Sequence, residues 1–337
     1  MGDVAMLVPV VYSLATQYPD VRVTVLSRGY ARAFFDQLAP NVGFMEADLE
    51  KEYVGITGLN ALYRRLHAKH FTAVADMHGV LRTHYLCMRF RFDRFRVARI
   101  DKHRAGKHRL VSRNNKRFVQ QPTTFQNYAE VLAKVGCPVK LAFDSIFPPQ
   151  GGNLRLLPPQ IGEKKSFQKW VGIAPFAAHE GKVFPLERME QVVERLFKAH
   201  PNARVFLFGA GSKEKRQFAQ WCERFPRCMS VSEVLKGLSE ELILMSHLDV
   251  MVSMDSANAH LASLVKVPVV SVWGATHPYS GFMGWGQTDD TAVQVSLPCR
   301  PCSIYGNKPC YRGDLACMNR ITPEMVLEKV ERVLDRK

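Results

Sequence analysis

The residues best placed to do chemistry lie in Ser253-Met254-Asp255-Ser256-Ala257-Asn258-Ala259-His260, between two apolar runs, Leu248 to Met254 and Val267 to Gly274. Each run suits a buried strand and the segment between suits a short helix, so the whole reads as one β-α-β unit. Asp255 or Ser256 would cap that helix. A helix opening at the carboxyl end of a parallel strand aims unpaired N–H groups and the positive end of its dipole at the neighbouring crevice. An anion fits such a place, a diphosphate best. An ordinary capped turn carries the same residues, and other motifs have to separate the two readings.

Gly209-Ala210-Gly211-Ser212 also stands between a strand and a helix, but a dinucleotide fingerprint needs a third glycine where Glu214 sits. A tight turn explains it better, and a nicotinamide-dependent oxidoreductase loses its main support. Cys299, Cys302, Cys310 and Cys317 are spaced C-x2-C-x7-C-x6-C, enough ligands for tetrahedral zinc or an iron–sulfur cluster. Only the first pair has typical ligand spacing, so metal-free structural thiols in an irregular lobe over 299–317 are preferred. The loop Trp273 to Gly286, with glycines at 274, 281, 284 and 286, would let backbone approach a ligand or simply pack tightly.

Elements that would position these residues alternate along the chain. In the first half we expect helix Val4 to Gln17, strand Val21 to Leu26, helix Tyr30 to Leu38, strand Val42 to Glu46, helix Leu59 to Lys69, strand Phe71 to Asp76 and helix Thr123 to Val135. Phe147-Pro148-Pro149-Gln150-Gly151-Gly152, with Pro158-Pro159, reads as an interdomain linker. The pattern then restarts: strand Trp170 to Ala174, helix Leu186 to Ala199, strand Arg204 to Phe208, helices Lys213 to Phe225 and Glu240 to His247, the β-α-β unit, and a last helix Pro323 to Leu334. Such alternation calls for parallel sheets covered on both faces, in two doubly wound domains, 1–150 and 151–337, facing each other across a cleft.

No run of 18 apolar residues would span a membrane, and Val4 to Ala15 lacks the basic flank of a signal peptide. Eight cysteines without a secretion signal point to the cytoplasm. Of the formal charge of +15, Arg89 to Arg117 supplies +10, from twelve Lys/Arg against Asp93 and Asp101. Arg89-Phe90-Arg91-Phe92-Asp93-Arg94-Phe95-Arg96 interleaves cations with aromatics as a nucleic-acid surface would, and its period of two is equally that of a half-buried strand. Solvated charge, an anionic membrane surface or a phosphorylated acceptor rank above nucleic acid, because no nucleic-acid module accompanies the charge.

Five stretches in order resemble the family 9 glycosyltransferases, the ADP-heptose:lipopolysaccharide heptosyltransferases. They are Met1-Gly2-Asp3-Val4 with Pro9; Ala73-Val74-Ala75-Asp76-Met77-His78-Gly79; Gly181-Lys182-Val183-Phe184-Pro185; Asp255-Ser256-Ala257 with His260; and Trp273-Gly274-Ala275-Thr276 with Gly281 and Gly284. The resemblance implies a two-domain GT-B fold of Rossmann-like halves, the first binding the acceptor and the second the nucleotide-sugar. It implies a cytoplasmic transferase, peripheral on the inner face of the inner membrane. That enzyme would move heptose or a related sugar from an ADP-sugar to a lipopolysaccharide core acceptor with inversion. No metal or other cofactor would be required.

In that reading Asp3 matches the catalytic aspartate and is the base, its alternative being a side-chain cap of the first helix. Lys182 is the cation for the departing diphosphate. Asp255, Ser256, Ala257, His260, Trp273 and Gly274 would bind the nucleotide-sugar; Asp76, His78 and Gly79 the acceptor; Lys102, Arg104, Lys107 and Arg109 its phosphates or carboxylates. The rival is a non-catalytic binder of anionic glycolipid or polysaccharide, which needs neither Asp3 nor Lys182. One departure stands out: the family carries a strand before its Gly-Asp motif, so the first domain should lack a central strand and Met1 should be internal to the natural protein.

Overall fold

The computed structural model describes residues 1–335, so Arg336 and Lys337 of the expected second domain lie outside the described residues. The chain divides into two compact units, residues 3–104 with 122–143, and residues 105–121 with 144 onward.

The first unit opens on α1 (Gly2–Gln17), whose apolar residues are buried almost all round. It starts two residues before the expected Val4, and no side chain caps it. Ser13 donates to the carbonyl of Pro9 at 2.7 Å, and its hydroxyl also accepts the N–H of Ala142 at 2.9 Å. Gln17 and Lys140 exchange two further bonds, which lace residues 140–142 along the helix. Next come β1 (Val23–Ser27), β2 (Val42–Glu46), α2 (Gly55–His67), β3 (Ala73–Asp76), α3 (Leu81–Phe92), β4 (Arg96–Arg99) and, after α4 (Arg104–Leu110), which falls in the second unit from Ala105 on, α5 (Thr124–Lys134). A reciprocal Thr123–Gln126 capping box starts α5.

Between β1 and β2, Tyr30 to Leu38 is not the expected α-helix but a 3-10 turn over Gly29–Phe34. Gly29 and Pro40 bracket the stretch and keep it short, and Phe34 and Phe35 are both buried. Residues 89–96 correct the strand reading. Phe90 is buried against Tyr63 in the core with Leu62, Leu66 and Leu86, so the segment obeys the helical period until Phe92 and only then turns into β4. Strand β1 pairs with β2 and β3 with β4, both in parallel, and among the described residues no strand joins the two pairs.

In the second unit the expected linker is bound down rather than free. Gly152 donates to Ser246 Oγ at 2.9 Å, and its carbonyl lies 2.6 Å from His247 Nε2. The elements are β5 (Lys169–Ala174), α6 (Leu186–Ala199), β6 (Ala203–Leu207), α7 (Ser212–Arg224), β7 (Cys228–Ser230), α8 (Leu238–Met245), β8 (Val250–Met254), α9 (Ala257–Leu264), β9 (Val269–Val272), β10 (Ala292–Val293), α10 (Ala316–Asn319) and α11 (Pro323–Leu334). All six strands are parallel, in the order β10-β9-β8-β5-β6-β7. Strands β5 and β8 are buried along nearly their whole length, which is why they read as mostly apolar runs. Helix α11 packs on α6 and on β8, β9 and β10, with Val326, Val330, Val333 and Leu334 in the core of this unit. From β5 the chain builds outward to β7, then returns to the other side of β5 for β8. The boundary between β5 and β8 is therefore the sheet's switch point, where parallel sheets of this kind open a crevice at their carboxyl edge.

Candidate functional site

Lys182 and Asp255 meet across that switch point. Lys182 lies in the loop after β5 and Asp255 directly follows β8, the two strands being paired in register from Val171 and Val250 to Ala174 and Ser253. The ammonium of Lys182 is 3.0 Å from Asp255 Oδ2, and both side chains are largely buried. Thr276, in the loop after β9, donates its hydroxyl to the same oxygen at 2.8 Å. Three strand ends thus converge on one carboxylate.

Neither candidate cap performs the expected job. Asp255 is occupied by Lys182 and Thr276, and the hydroxyl of Ser256 pairs with Ser253 Oγ at 3.2 Å, so no side chain caps α9. Ser256 and Ala257 are half-buried at the first turn of that helix. His260 is buried one turn further on, and its carbonyl accepts from Ser263. Trp273 is a core residue whose indole N–H donates to Ser271, so it brings backbone rather than a stacking surface to this end of the sheet.

Gly274 shows why glycine is required there. A Cβ on it would stand 2.5 Å from the carbonyl oxygen of Gly181, in the same short loop as Lys182. The next residue, Ala275, donates its N–H to that oxygen at 2.8 Å.

The cysteine lobe supports this loop pair. Arg300, buried, donates to the carbonyls of Gly274 at 2.5 Å, Thr276 at 2.9 Å and Val295 at 2.6 Å, and to Gln294 Oε1 at 2.8 Å. Burial holds its guanidinium down to about 10. Gly306 of the same lobe lies against the stem of Lys182, where a Cβ would come within 2.5 Å of its Cδ. All four cysteines are free thiols, and among the described residues no group of three metal-ligating side chains is arranged to hold an ion. Burial pushes Cys317 up to about 11 and also raises Cys302. Sequence reasoning passed over Arg300 and Thr276 as site residues. Their only signals were a cation amid cysteines and a threonine at the end of an already noted motif.

The glycine turn at 209–211 is occupied from within. Glu214 accepts the N–H groups of Ala210 at 2.7 Å and Gly211 at 3.0 Å, taking the position a phosphate would need. The residue that breaks the fingerprint also fills the site.

In the first unit, Asp3 is exposed in the first turn of α1, and its carbonyl accepts from the buried Tyr128 hydroxyl at 3.1 Å. Burial lowers the His78 imidazole, with Lys102 adding to the effect and Asp3 opposing it, so Asp3, His78 and Lys102 share one neighbourhood. Asp76 is buried and committed locally. Its Oδ1 accepts from the N–H groups of His78 at 3.0 Å and Gly79 at 2.9 Å, its Oδ2 accepts from Thr83 at 2.8 Å, and Arg99 lies 3.4 Å away. It shapes the turn that presents His78 and Gly79. The side chain of Lys102 reaches the turn as well, 3.5 Å from where a Cβ on Gly79 would be.

The basic stretch does not form one face. Of the cations expected at the acceptor's anions, Lys107 is buried with its ammonium 4.2 Å from the Phe282 ring centre, whereas Arg104 and Arg109 are exposed. Lys116 donates to the carbonyls of Cys299 and Pro301, and Phe118 packs edge-on against His277. Residues 105–121 thereby belong to the second unit.

Known proteins resemble this chain in sequence and in fold. Two lipooligosaccharide heptosyltransferases 2 of Campylobacter jejuni match, at 22% identity over 177 residues and 24% over 137. The chain spans about half the length of the curated relatives it matches, 52% and 40%. Solved structures give fuller coverage. The E. coli ADP-heptose lipopolysaccharide heptosyltransferase II is similar with a TM-score of 0.68 at 16% identity, covering 98% of this chain and 95% of that one. The E. coli heptosyltransferase WaaC with ADP gives 0.67 at 16%, covering 99% and 97%. A family 9 glycosyl transferase from Veillonella parvula gives 0.71 at 17%, covering 100% and 95%. These likenesses show the GT-B type of fold. The model of glycosyltransferase family 9 (heptosyltransferase) matches residues 59–310, well over half of the sequence and including both Lys182 and Asp255, and the chain belongs to that family.

Proposed function

We propose that this chain is an inverting, metal-independent transferase that moves heptose from ADP-heptose to a lipopolysaccharide core acceptor, in the cytoplasm at the inner face of the inner membrane. The observation that carries the reading is the Lys182–Asp255 pair at the switch point of the second unit. Family membership, and the ADP held by the E. coli relative, support the choice of nucleotide and sugar.

In this reading the diphosphate lies at the uncapped first turn of α9, where the N–H groups of Ala257 and its neighbours and the Lys182 ammonium face it. Asp255 is a positioning residue that fixes Lys182. The acceptor, held near His78, Gly79 and Lys102, with Arg104 and Arg109 for its anions, presents a hydroxyl to Asp3. The Asp3 carboxylate takes the hydroxyl proton while the oxygen forms its bond to the anomeric carbon from the face opposite the diphosphate. The bond from that carbon to the β-phosphate oxygen breaks, and its electron pair leaves with ADP. Charge gathers on that oxygen, so Lys182 and the helix dipole stabilise the transition state more than the ground state. A cation and backbone donors already in place supply what a metal would otherwise do.

The test is Asp3→Asn beside wild type, with ADP affinity by calorimetry and heptose transfer by mass spectrometry of the acceptor. Transfer should fall by at least about a hundredfold with ADP affinity unchanged. Full transfer by the variant would remove Asp3 as base, and no ADP binding by the wild type would favour a non-catalytic glycan binder.

A further inference from the structure

Helix α3 is apolar on two opposite sides: the core covers one, and on the other only Tyr85 packs against that core. Leu86, Cys87 and Phe90 face the core of the first unit. Leu81, Tyr85, Met88 and Phe92 recur at i, i+4, i+7 and i+11, one stripe at about 100° per residue on the opposite side. Leu81 is 86% exposed, Met88 46% and Phe92 77%; Tyr85, half-buried, donates its hydroxyl to Asn60. Helix α2 runs alongside in the same direction, with Asn60 beside Tyr85, Tyr63 beside Phe90 and His67 beside Asp93. That register carries its first turn, with Ile56 at 68% exposure, toward the Leu81 end.

The margins are basic. Arg82, His84 and Arg91 border the stripe, Arg94 follows the end of the helix, and the one acid between 81 and 94, Asp93, sits 3.4 Å from His67. A contiguous apolar stripe rimmed by polar or charged residues marks an interaction surface. The cationic border selects an occupant that is apolar within and anionic at its surface. No described helix is long and apolar enough to cross a membrane.

We infer that the outer stripe of α3, with Ile56 of α2, is a docking face for an anionic lipid bilayer. Phe92, Met88 and Leu81 enter the acyl boundary and Arg82, Arg91 and Arg94 meet the headgroup phosphates. This deepens the proposed transfer at a membrane and rests on that reading for its biological purpose. The geometry also accounts for the Arg-Phe alternation of 89–92: the phenylalanines fall on opposite sides of the helix, Phe90 inward and Phe92 outward.

The test is co-sedimentation with phosphatidylcholine vesicles, with and without phosphatidylglycerol, of wild type and of Leu81→Ser/Met88→Ser/Phe92→Ser. Wild type should bind only the anionic vesicles, and the triple variant should bind them at least about tenfold more weakly with an unchanged unfolding midpoint. A Phe92→Trp protein, which retains the face, should shift its indole emission to the blue, relative to wild type, when anionic vesicles are added. Equal binding by the triple variant, or an unmoved emission from a Phe92→Trp protein that co-sediments, overturns the face and leaves transfer at a membrane intact. Failure of wild type to bind either vesicle overturns both the face and the membrane location, while transfer to a detergent-solubilised acceptor still reports on the transferase reading. A triple variant that loses self-association in the ultracentrifuge and nothing on vesicles identifies a contact between copies of the chain and overturns the bilayer.

Discussion

Lys182 and Asp255 are brought within 3.0 Å of each other by strands that are neighbours in the sheet and about eighty residues apart in the chain. Side-chain exposures of 15% and 7% mean that each charge depends on the other. Removing one partner from such a pair typically costs about 3–5 kcal/mol because the survivor is left buried and uncompensated. We expect Lys182→Met to lose stability on that scale in urea and the double variant Lys182→Met/Asp255→Asn to regain most of it. ADP affinity should stay at least about tenfold below wild type in both. Recovery of ADP binding along with stability would reduce Lys182 to a structural cation.

Arg300 ties the loops after β9 and β10 by four hydrogen bonds, three of them to backbone carbonyls. Arg300→Lys keeps the charge and loses the planar fork, so buried acceptors go unmet at about 1–3 kcal/mol each. The expected outcome is a loss of roughly 2–4 kcal/mol in chemical denaturation and a weaker grip on ADP, because the 274–276 loop holds the Lys182 loop through the N–H of Ala275. A variant as stable as wild type would show that the lobe does not clamp these loops.

The second unit was the more legible in sequence because its elements obey simple periods. Helices Leu186–Ala199 and Pro323–Leu334 run between the residues that the pattern marks, and β5 and β8 are buried nearly throughout and mostly apolar because helices cover both faces. In the first unit α3 was hidden: with Phe90 turned inward and Phe92 outward, its apolar residues give no single stripe, and arginines at 89, 91 and 94 mimic a strand. The motifs around Lys182 and Asp255 could be found, but their pairing could not. The expectation that Asp255 caps α9 follows from local rules, which a lysine arriving from another strand overrides. Arg300 was invisible as a clamp because its acceptors are carbonyls, and a sequence does not say which carbonyls a loop leaves unpaired.

Glu214 provides a separable test of where the nucleotide goes. Its carboxylate fills the turn at Ala210 and Gly211 and lies in the first turn of α7, where it also complements the helix dipole. Glu214→Ala should cost about 1 kcal/mol, the usual value of an N-terminal cap, and leave ADP affinity within a factor of about three. A larger change in affinity, read by titration calorimetry, would move the nucleotide site from the end of β8 to the end of β6.

His277 should make the second unit sensitive to acid. Its ring is buried and accepts the N–H of Tyr279 through Nδ1 at 3.1 Å, a bond that requires the neutral imidazole. Burial, then Arg300 and Lys116, lower its pKa from 6.5 to about 4. Between those values the unfolded chain binds a proton that the folded one refuses, so the contribution is complete above about 6.5 and is lost as the pH falls toward 4. The span corresponds to roughly 3 kcal/mol at most. His277→Asn keeps an oxygen acceptor for Tyr279 without the titration, and its unfolding midpoint should fall less than that of wild type between neutral pH and pH of about 4.5. Parallel midpoints for the two proteins across that range would mean that His277 already carries its proton in the folded state or is solvated there.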